Sequence, residues 1–398
     1  MAAHERPAVW VTGVGLASCL GSGEAVHLEK LFDEGGIKRP VDRIVGMPVV
    51  PLGPLALDRY VPNRVEQKRL GAVQAIAVQA AGDALDSAGL LGDREVLSNA
   101  VVVVGAVGGE RDAAFDASVF ADPARYADPA ELNQRLVSGT RPSLFLAQLP
   151  NLVAGCISII FGVAGGSRTV LGEEIGGANA LHAARRLIEA QRADVVIAGS
   201  AFNGQREDLL LFYGAGGLLW QGDGVPPPVS ERSTPSGAVL GSVGGFLVLE
   251  SAAHAARRGA APYGCLTMTA VHQIVRGPGA LATLVERVVP DDRHSLAILS
   301  GASGAAPATD DELSALTRLQ PAAMRTTGSI FGHSFEAVLP FNAALAAIAL
   351  RRGALWPRQA GDPPDCREAQ HARILVSGIG ALLGEGFAIL ERCRETST

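Results

Sequence analysis

Two rounds of strand–helix alternation predict an α/β protein built from two similar halves, each with a buried sheet. Three observations carry that reading. Short β-branched runs recur between alanine-rich stretches, the runs are apolar almost throughout, and the whole pattern restarts after "HAARRGAAP". With 398 residues, 48% of them hydrophobic, the chain can bury one large core or two fused ones.

Taken in order, "AVWVTGVG" reads as the first strand, and "EQKRLGAVQAIAVQAAGDALDSAGL" as a helix with apolar residues at helical spacing. "NAVVVVGAV", "RTVLG", "ADVVIAGSA" and "GGFLVLES" are further strands, with a helix from Ala178 to Gln191 between two of them. The proline-rich "DGVPPPVSERSTPSG" is a surface excursion late in the first half. The second half runs through "YGCLTMTAV", "LAILSGAS", a helix near 311–319, "RTTGSIFG" and a helix from Glu336 to Leu350. It closes with "RILVSGIG" and "EGFAILERC", two strands joined by a glycine-rich loop. The expected units are residues 8–255 and 256–395.

Composition excludes several classes. A net charge of −6 argues against nucleic-acid binding, although Arg185 and Arg186 could form a local basic patch. The cysteines Cys19, Cys156, Cys265, Cys366 and Cys393 show neither metal spacing nor disulfide density, and they fit a reducing interior. "MAAHERPAVW" lacks the apolar core of a secretory signal, so the cytoplasm is the expected compartment. Between Arg141 and Arg168 no residue is charged, yet Gln148, Pro150, Asn151 and several glycines break the segment. A membrane span needs about 20 mainly apolar residues. A buried helix or subunit interface is the better reading.

The stretch "SRTVLGEEIGGANAL" has the form of a nucleophile turn. A β-branched run stops at Gly172 and a small-residue helix follows, which places the first helical side chain beside free backbone N–H groups. Enzymes often put serine or cysteine there. This chain has Glu173 and Glu174.

Five segments in order resemble the β-ketoacyl-ACP synthases, condensing enzymes with a thiolase fold: "VTGVGLASCLG", "NLVAGCISIIFGVAGGSRTV", "ADVVIAGSA", "GFLVLESAAHAARRGA" and "GHSFEAVLPFNAALAAIAL". The resemblance runs from about residue 8 to 392. It implies two similar α/β halves in a layered αβαβα core. It also implies an active-site cysteine that takes an acyl chain from a carrier protein, and two histidines that promote decarboxylation of a malonyl thioester. A lysine ahead of the second histidine supports the electrostatics.

Carried over residue by residue, the family's Thr-Val-Val-Thr-Ala-Cys-Ala-Thr-Gly aligns with "TVLGEEIGG" and puts Glu174 at the cysteine. "ASGAAPATD" keeps Pro307 and Asp310 at the offsets of the first histidine motif, so Ala302 stands at that histidine. The second histidine is His333 if "GHSFEAVLP" is read without a gap, and Gly328 then stands at the lysine; a register anchored on "TTGSIFG" would put Ser329 at the histidine instead. The gating Gly-Phe-Gly-Gly loop reads "GIGALLGEG", with Ala381 at the gate, and the family's Gly-Glu-Gly reads "GSV" at 241–243.

Without the cysteine and one histidine, independent condensation is not expected, since losing one oxyanion donor alone costs about 10²–10³ in rate. The plain reading of Glu174 is a carboxylate satisfying helix N–H groups, worth roughly 0.3–1 kcal/mol; His333 reads as either a buried structural histidine or a residual catalytic group. The resemblance is greatest to a cysteine-less chain-length-factor subunit. Such a subunit pairs with a cysteine-bearing ketosynthase homologue and works on acyl carrier protein, in fatty acyl or polyketide elongation. The other readings are an autonomous synthase or malonyl-ACP decarboxylase with a Glu-centred site, and a homodimeric scaffold. A neighbouring gene for a cysteine-bearing homologue would favour the first. Phe145 and Leu146, in the uncharged "RPSLFLAQLPNLVAG", are the candidate tunnel wall at the dimer interface. No cofactor and no metal is expected.

Overall fold

The apolar runs form strands β1 (Val9–Ser18), β2 (Val101–Gly105), β3 (Gly166–Val170), β4 (Val195–Phe202) and β5 (Val243–Ser251). The second half contributes β6 (Gly264–His272), β7 (Leu296–Ser300), β8 (Ala323–Thr326), β9 (Arg373–Ile379) and β10 (Glu385–Glu391). These come from a computed structural model that describes residues 7–33, 36–37, 39–122, 124–125, 127–139, 148–232, 235–289, 295–366 and 371–393. Phe145 and Leu146 lie outside the described residues.

With the short Gly21–Ser22 strand paired to β1, the strands make an eleven-stranded sheet of order β8-β7-β9-β10-β6-β1-β5-β4-β2-β3. The neighbours repeat on either side of the antiparallel β1–β6 contact. β2 runs parallel to β3 and β4, and β5 antiparallel to β4 and β1. In the same way β7 runs parallel to β8 and β9, and β10 antiparallel to β9 and β6. The two halves share one topology, as the restart of the sequence pattern predicts.

The helices layer around this sheet. α1 (Ala72–Ser87) packs on β1, β5 and β4, and α2 (Leu152–Phe161) lies beside α1. α3 (Glu174–Glu189) touches β2 and β4 of the first half and β6 and β10 of the second. α4 (Ala280–Val288) and α5 (Ala308–Thr317) share a core with β7, β9 and β10, through Leu281, Leu284, Leu316, Ile298, Leu375 and Ile389. α6 (Val338–Arg352) packs on β5, β9 and β10. α3 and α6 therefore form a middle helical layer between strands of both halves, completing the αβαβα arrangement. Every residue of α6 from Val338 to Leu350 is buried. Its alanine-rich sequence lets sheet and helix approach closely.

Gly177 shows how tight that approach is. A Cβ there would fall 1.9 Å from the Glu336 carbonyl oxygen, and a Cβ on Gly105 would fall 2.7 Å from Gly177 Cα. Only glycines let the end of β2, the start of α3 and the turn before α6 meet.

Several expectations are corrected. The helix read through residues 66–90 is two, Arg64–Gln67 and α1, because Gly71 caps α1 and its N–H is accepted by the Gln74 side chain. The helix expected from Glu336 begins at Val338, after a 3₁₀ turn over Phe335–Ala337. Arg185 and Arg186 form no basic patch, since both pair with Glu189. Cys265 and Cys393 form a disulfide, their Cα atoms 5.2 Å apart. They are 128 residues apart in sequence, and the β6–β10 pairing brings them together, so no local spacing could signal it.

Candidate functional site

The turn from β3 to α3 is strained where the sequence places the nucleophile. Gly172 has φ 149°, and Glu173 adopts φ 49°, ψ −132°. A non-glycine residue in such a conformation costs on the order of 1–3 kcal/mol and persists only when its surroundings hold it. Part of that hold is the Tyr213 hydroxyl, which donates to Glu173 Oε1 at 3.1 Å. Burial, with repulsion from Glu174, pushes the Glu173 carboxyl above its usual range.

Glu174, the first residue of α3, is 1% exposed. Its carboxylate does not cap its own helix. Oε1 instead meets His333 Nε2 at 3.1 Å and accepts the Ala381 N–H at 2.9 Å, while Oε2 is buried with no partner among the described residues. The capping reading of Glu174 is thereby replaced. A carboxylate clamped between an imidazole and a backbone amide ties together three segments that are far apart in sequence.

His333 is fixed from both sides. Its N–H donates to the Val239 carbonyl at 2.7 Å and its carbonyl accepts from Gly241 N at 2.9 Å, while its ring meets Phe335 edge-on at 4.7 Å. It is His333 that reaches Glu174. Ser329 serves elsewhere, its Oγ accepting the Val229 N–H at 3.0 Å. Ala381 sits in the loop between β9 and β10, closed by a Gly380 N–H to Gly384 carbonyl bond of 2.9 Å. That loop rests on Ile175, and its Leu382 and Leu383 face outward.

Ala302, fully buried, lies on the loop after β7, where its N–H donates to Ser300 Oγ at 3.2 Å. Ser300 and Ser377 both donate to Glu312 Oε1, and burial pushes the Glu312 carboxyl up to about 7. Gly328 packs against this loop: a Cβ there would lie 2.5 Å from the Ala302 carbonyl oxygen. At Gly328 a lysine would therefore meet backbone at its first side-chain carbon.

One residue of the site escaped the sequence reading. Glu336 is 2% exposed, with Oε2 unpartnered among the described residues, and its chain lies against Gly176 and Gly177. Burial, followed by repulsion from Glu174 and Glu173, raises its carboxyl to about 8. A signal was present: Glu336 is the one charged residue between His333 and Arg351. Three carboxyls thus cluster here, and one of them, Glu174, meets the His333 imidazole. Chemically the Glu174–His333 pair can hold a proton or orient a polar group, but it offers neither thiol nor hydroxyl for acyl transfer. Among the described residues no cluster of histidine, cysteine or carboxylate has metal-binding geometry, and no helix is long and apolar enough to cross a membrane.

Residues 58–255 match the family model for the β-ketoacyl synthase N-terminal domain. Over 272 residues the chain is 28% identical to 3-oxoacyl-[acyl-carrier-protein] synthase 2 of Rhizobium meliloti (strain 1021), covering 64% of this chain and 62% of that protein. Among solved structures, the ishigamide ketosynthase/chain length factor superposes with a TM-score of 0.80 at 19% identity, over 98% of this chain and 100% of that one. A β-ketoacyl synthase from Burkholderia phymatum STM815 gives 0.77 at 18%, with the same coverage of both chains. A type II PKS acyl-carrier protein in complex with its ketosynthase gives 0.74 at 16%, again over 98% and 100%. Residues 58–255 thus match the N-terminal domain of the β-ketoacyl synthases, and the chain as a whole has the fold of these solved structures.

Proposed function

We propose that this chain is the non-catalytic, chain-length-factor-like member of a ketosynthase heterodimer that elongates fatty acyl or polyketide chains on acyl carrier protein. One observation carries the reading: the position of the nucleophile is held by a buried carboxylate whose oxygen is already bound by His333 and the Ala381 N–H. The packing of Ala302 against Gly328 supports it. So does the surface around β3. That strand is the last in the sheet, with Gly166, Ser167 and Arg168 exposed, and the apolar Ile159 and Leu171 stand out beside it at 85% and 57% exposure. An open edge flanked by apolar side chains suits strand pairing with a homologous subunit.

The purified chain alone should neither become acylated nor condense malonyl-ACP. A stable acyl adduct seen by mass spectrometry, or turnover without a partner, would sink the proposal. Co-expressed with a cysteine-bearing homologue, it should copurify and support elongation. Glu174→Gln keeps an oxygen that can accept from Ala381 and His333, so the complex should assemble and retain most of its elongation rate. A loss of orders of magnitude with the dimer intact would assign the carboxylate a chemical role.

A second reading, an autonomous malonyl-ACP decarboxylase, draws on the buried Glu174–His333 pair and the protonated Glu336 beside it. Carbon dioxide release from malonyl-ACP by the chain alone would favour it.

A further inference from the structure

Glu174 Oε1 is approached by two donors from separate parts of the chain, at 2.9 Å and 3.1 Å. That is the spacing of a hole built for one oxygen, with donors 2.7–3.1 Å away and excluded from water. Among the described residues the second oxygen, Oε2, is buried without a partner, and Gly380 stands beside it, where a Cβ would come within 3.1 Å. A carboxylate evolved purely as a structural strut would have both oxygens satisfied, because an unpaired buried acceptor costs about 1–3 kcal/mol. The arrangement fits an oxygen hole with a side chain inserted into it.

The charges around the hole agree. Glu173 and Glu336 face Glu174, and both carboxyls are shifted toward the protonated form by burial and by Glu174 itself. Tyr213 faces the cluster through Glu173, and Arg206 contributes a weaker attraction on Glu336. Glu174 is thus flanked by two carboxyls that burial and its own proximity push toward the neutral form.

We infer that the Ala381 N–H and His333 Nε2 form a carboxylate-binding hole that the chain keeps filled with its own Glu174, so that removing this side chain uncovers a site for a small free carboxylate. The acyl position is then closed by occupancy as well as by loss of the nucleophile. This deepens the proposed inert role by supplying its cause. The test concerns ligand binding to the isolated chain, so its failure is distinct from failure to copurify with a synthase.

The probe is sodium acetate, with sodium chloride at equal ionic strength as the control, read by thermal unfolding and by calorimetric titration of Glu174→Ala, Glu174→Gln and the unsubstituted chain. Glu174→Ala should show a saturable rise in Tm and a titratable heat with acetate; the other two should show neither. An acetate response in Glu174→Ala no larger than in Glu174→Gln overturns the inference. The unsubstituted chain provides a check that does not depend on any variant folding. The Ala381 amide should exchange with solvent at least about tenfold more slowly than the amides of its exposed neighbours Leu382 and Leu383, and exchange as fast as theirs also overturns it.

Discussion

Glu336→Gln should stabilise the folded chain by an amount that grows with pH, from almost nothing near pH 4.5 to as much as about 5 kcal/mol near pH 8. In the folded chain the Glu336 carboxyl releases its proton at about 8, against 4.5 for the ordinary group, because burial and two neighbouring carboxylates disfavour its charge. Between those values the folded state holds a proton that the unfolded chain has already released. Stability therefore falls as pH rises through this window and levels off above it. Glutamine has the same shape and no charge to bury, so the variant should lack this part of the decline. Urea unfolding of both proteins at several pH values between 4.5 and 8.5 measures the difference. Curves that stay parallel across that range would refute the assignment of Glu336 as a buried, proton-holding carboxyl.

Gly328→Lys should prevent stable folding, or lower stability by more than about 3 kcal/mol. The resemblance to active synthases puts a lysine here, and this structure has no space for its first carbon. A Cβ would sit 2.5 Å from the Ala302 carbonyl oxygen and 3.1 Å from Val229 Cγ2, and the first of these is backbone that cannot rotate away. Gly328→Ala should already show most of the loss, which separates the backbone clash from the cost of burying an ammonium. The check is Tm and soluble yield of both variants. A Gly328→Lys protein as stable as the parent would mean that the loop after β7 is far more yielding than its packing implies. The same crowding bears on Ala302→His, since Ala302 is fully buried. Restoring the synthase residues one at a time is therefore a structural problem before it is a catalytic one.

Most strands were legible because they are dense apolar runs, and sheets buried on both faces require little else. Their order was not, because nothing in "RTVLG" says that it ends on the outer rim of the sheet. The meeting of Glu174 with His333 was foreshadowed by alignment to a family, whereas the partner Ala381 N–H belongs to the backbone and carries no sequence signature. Glu336 reads in the sequence as the start of a helix, since a carboxylate at a helix N-terminus is ordinarily a solvated, dipole-favoured residue. Only the turn at Phe335, with φ 39° and its ring stacked on Tyr213 at 4.5 Å, directs it inward. The Cys265–Cys393 contact is a product of tertiary pairing in the same sense.

Strand β3 is both the rim of the sheet and the stalk of the strained turn: Val170, its last residue, is followed within four residues by Glu174. A chain that zips onto this rim would clamp the stalk, and with it the angle at which Glu173 leaves the strand. The Ala381 loop is tied to the same turn through Glu174 Oε1. Whatever covers this rim therefore bears on the backbone that carries Glu173 and Glu174.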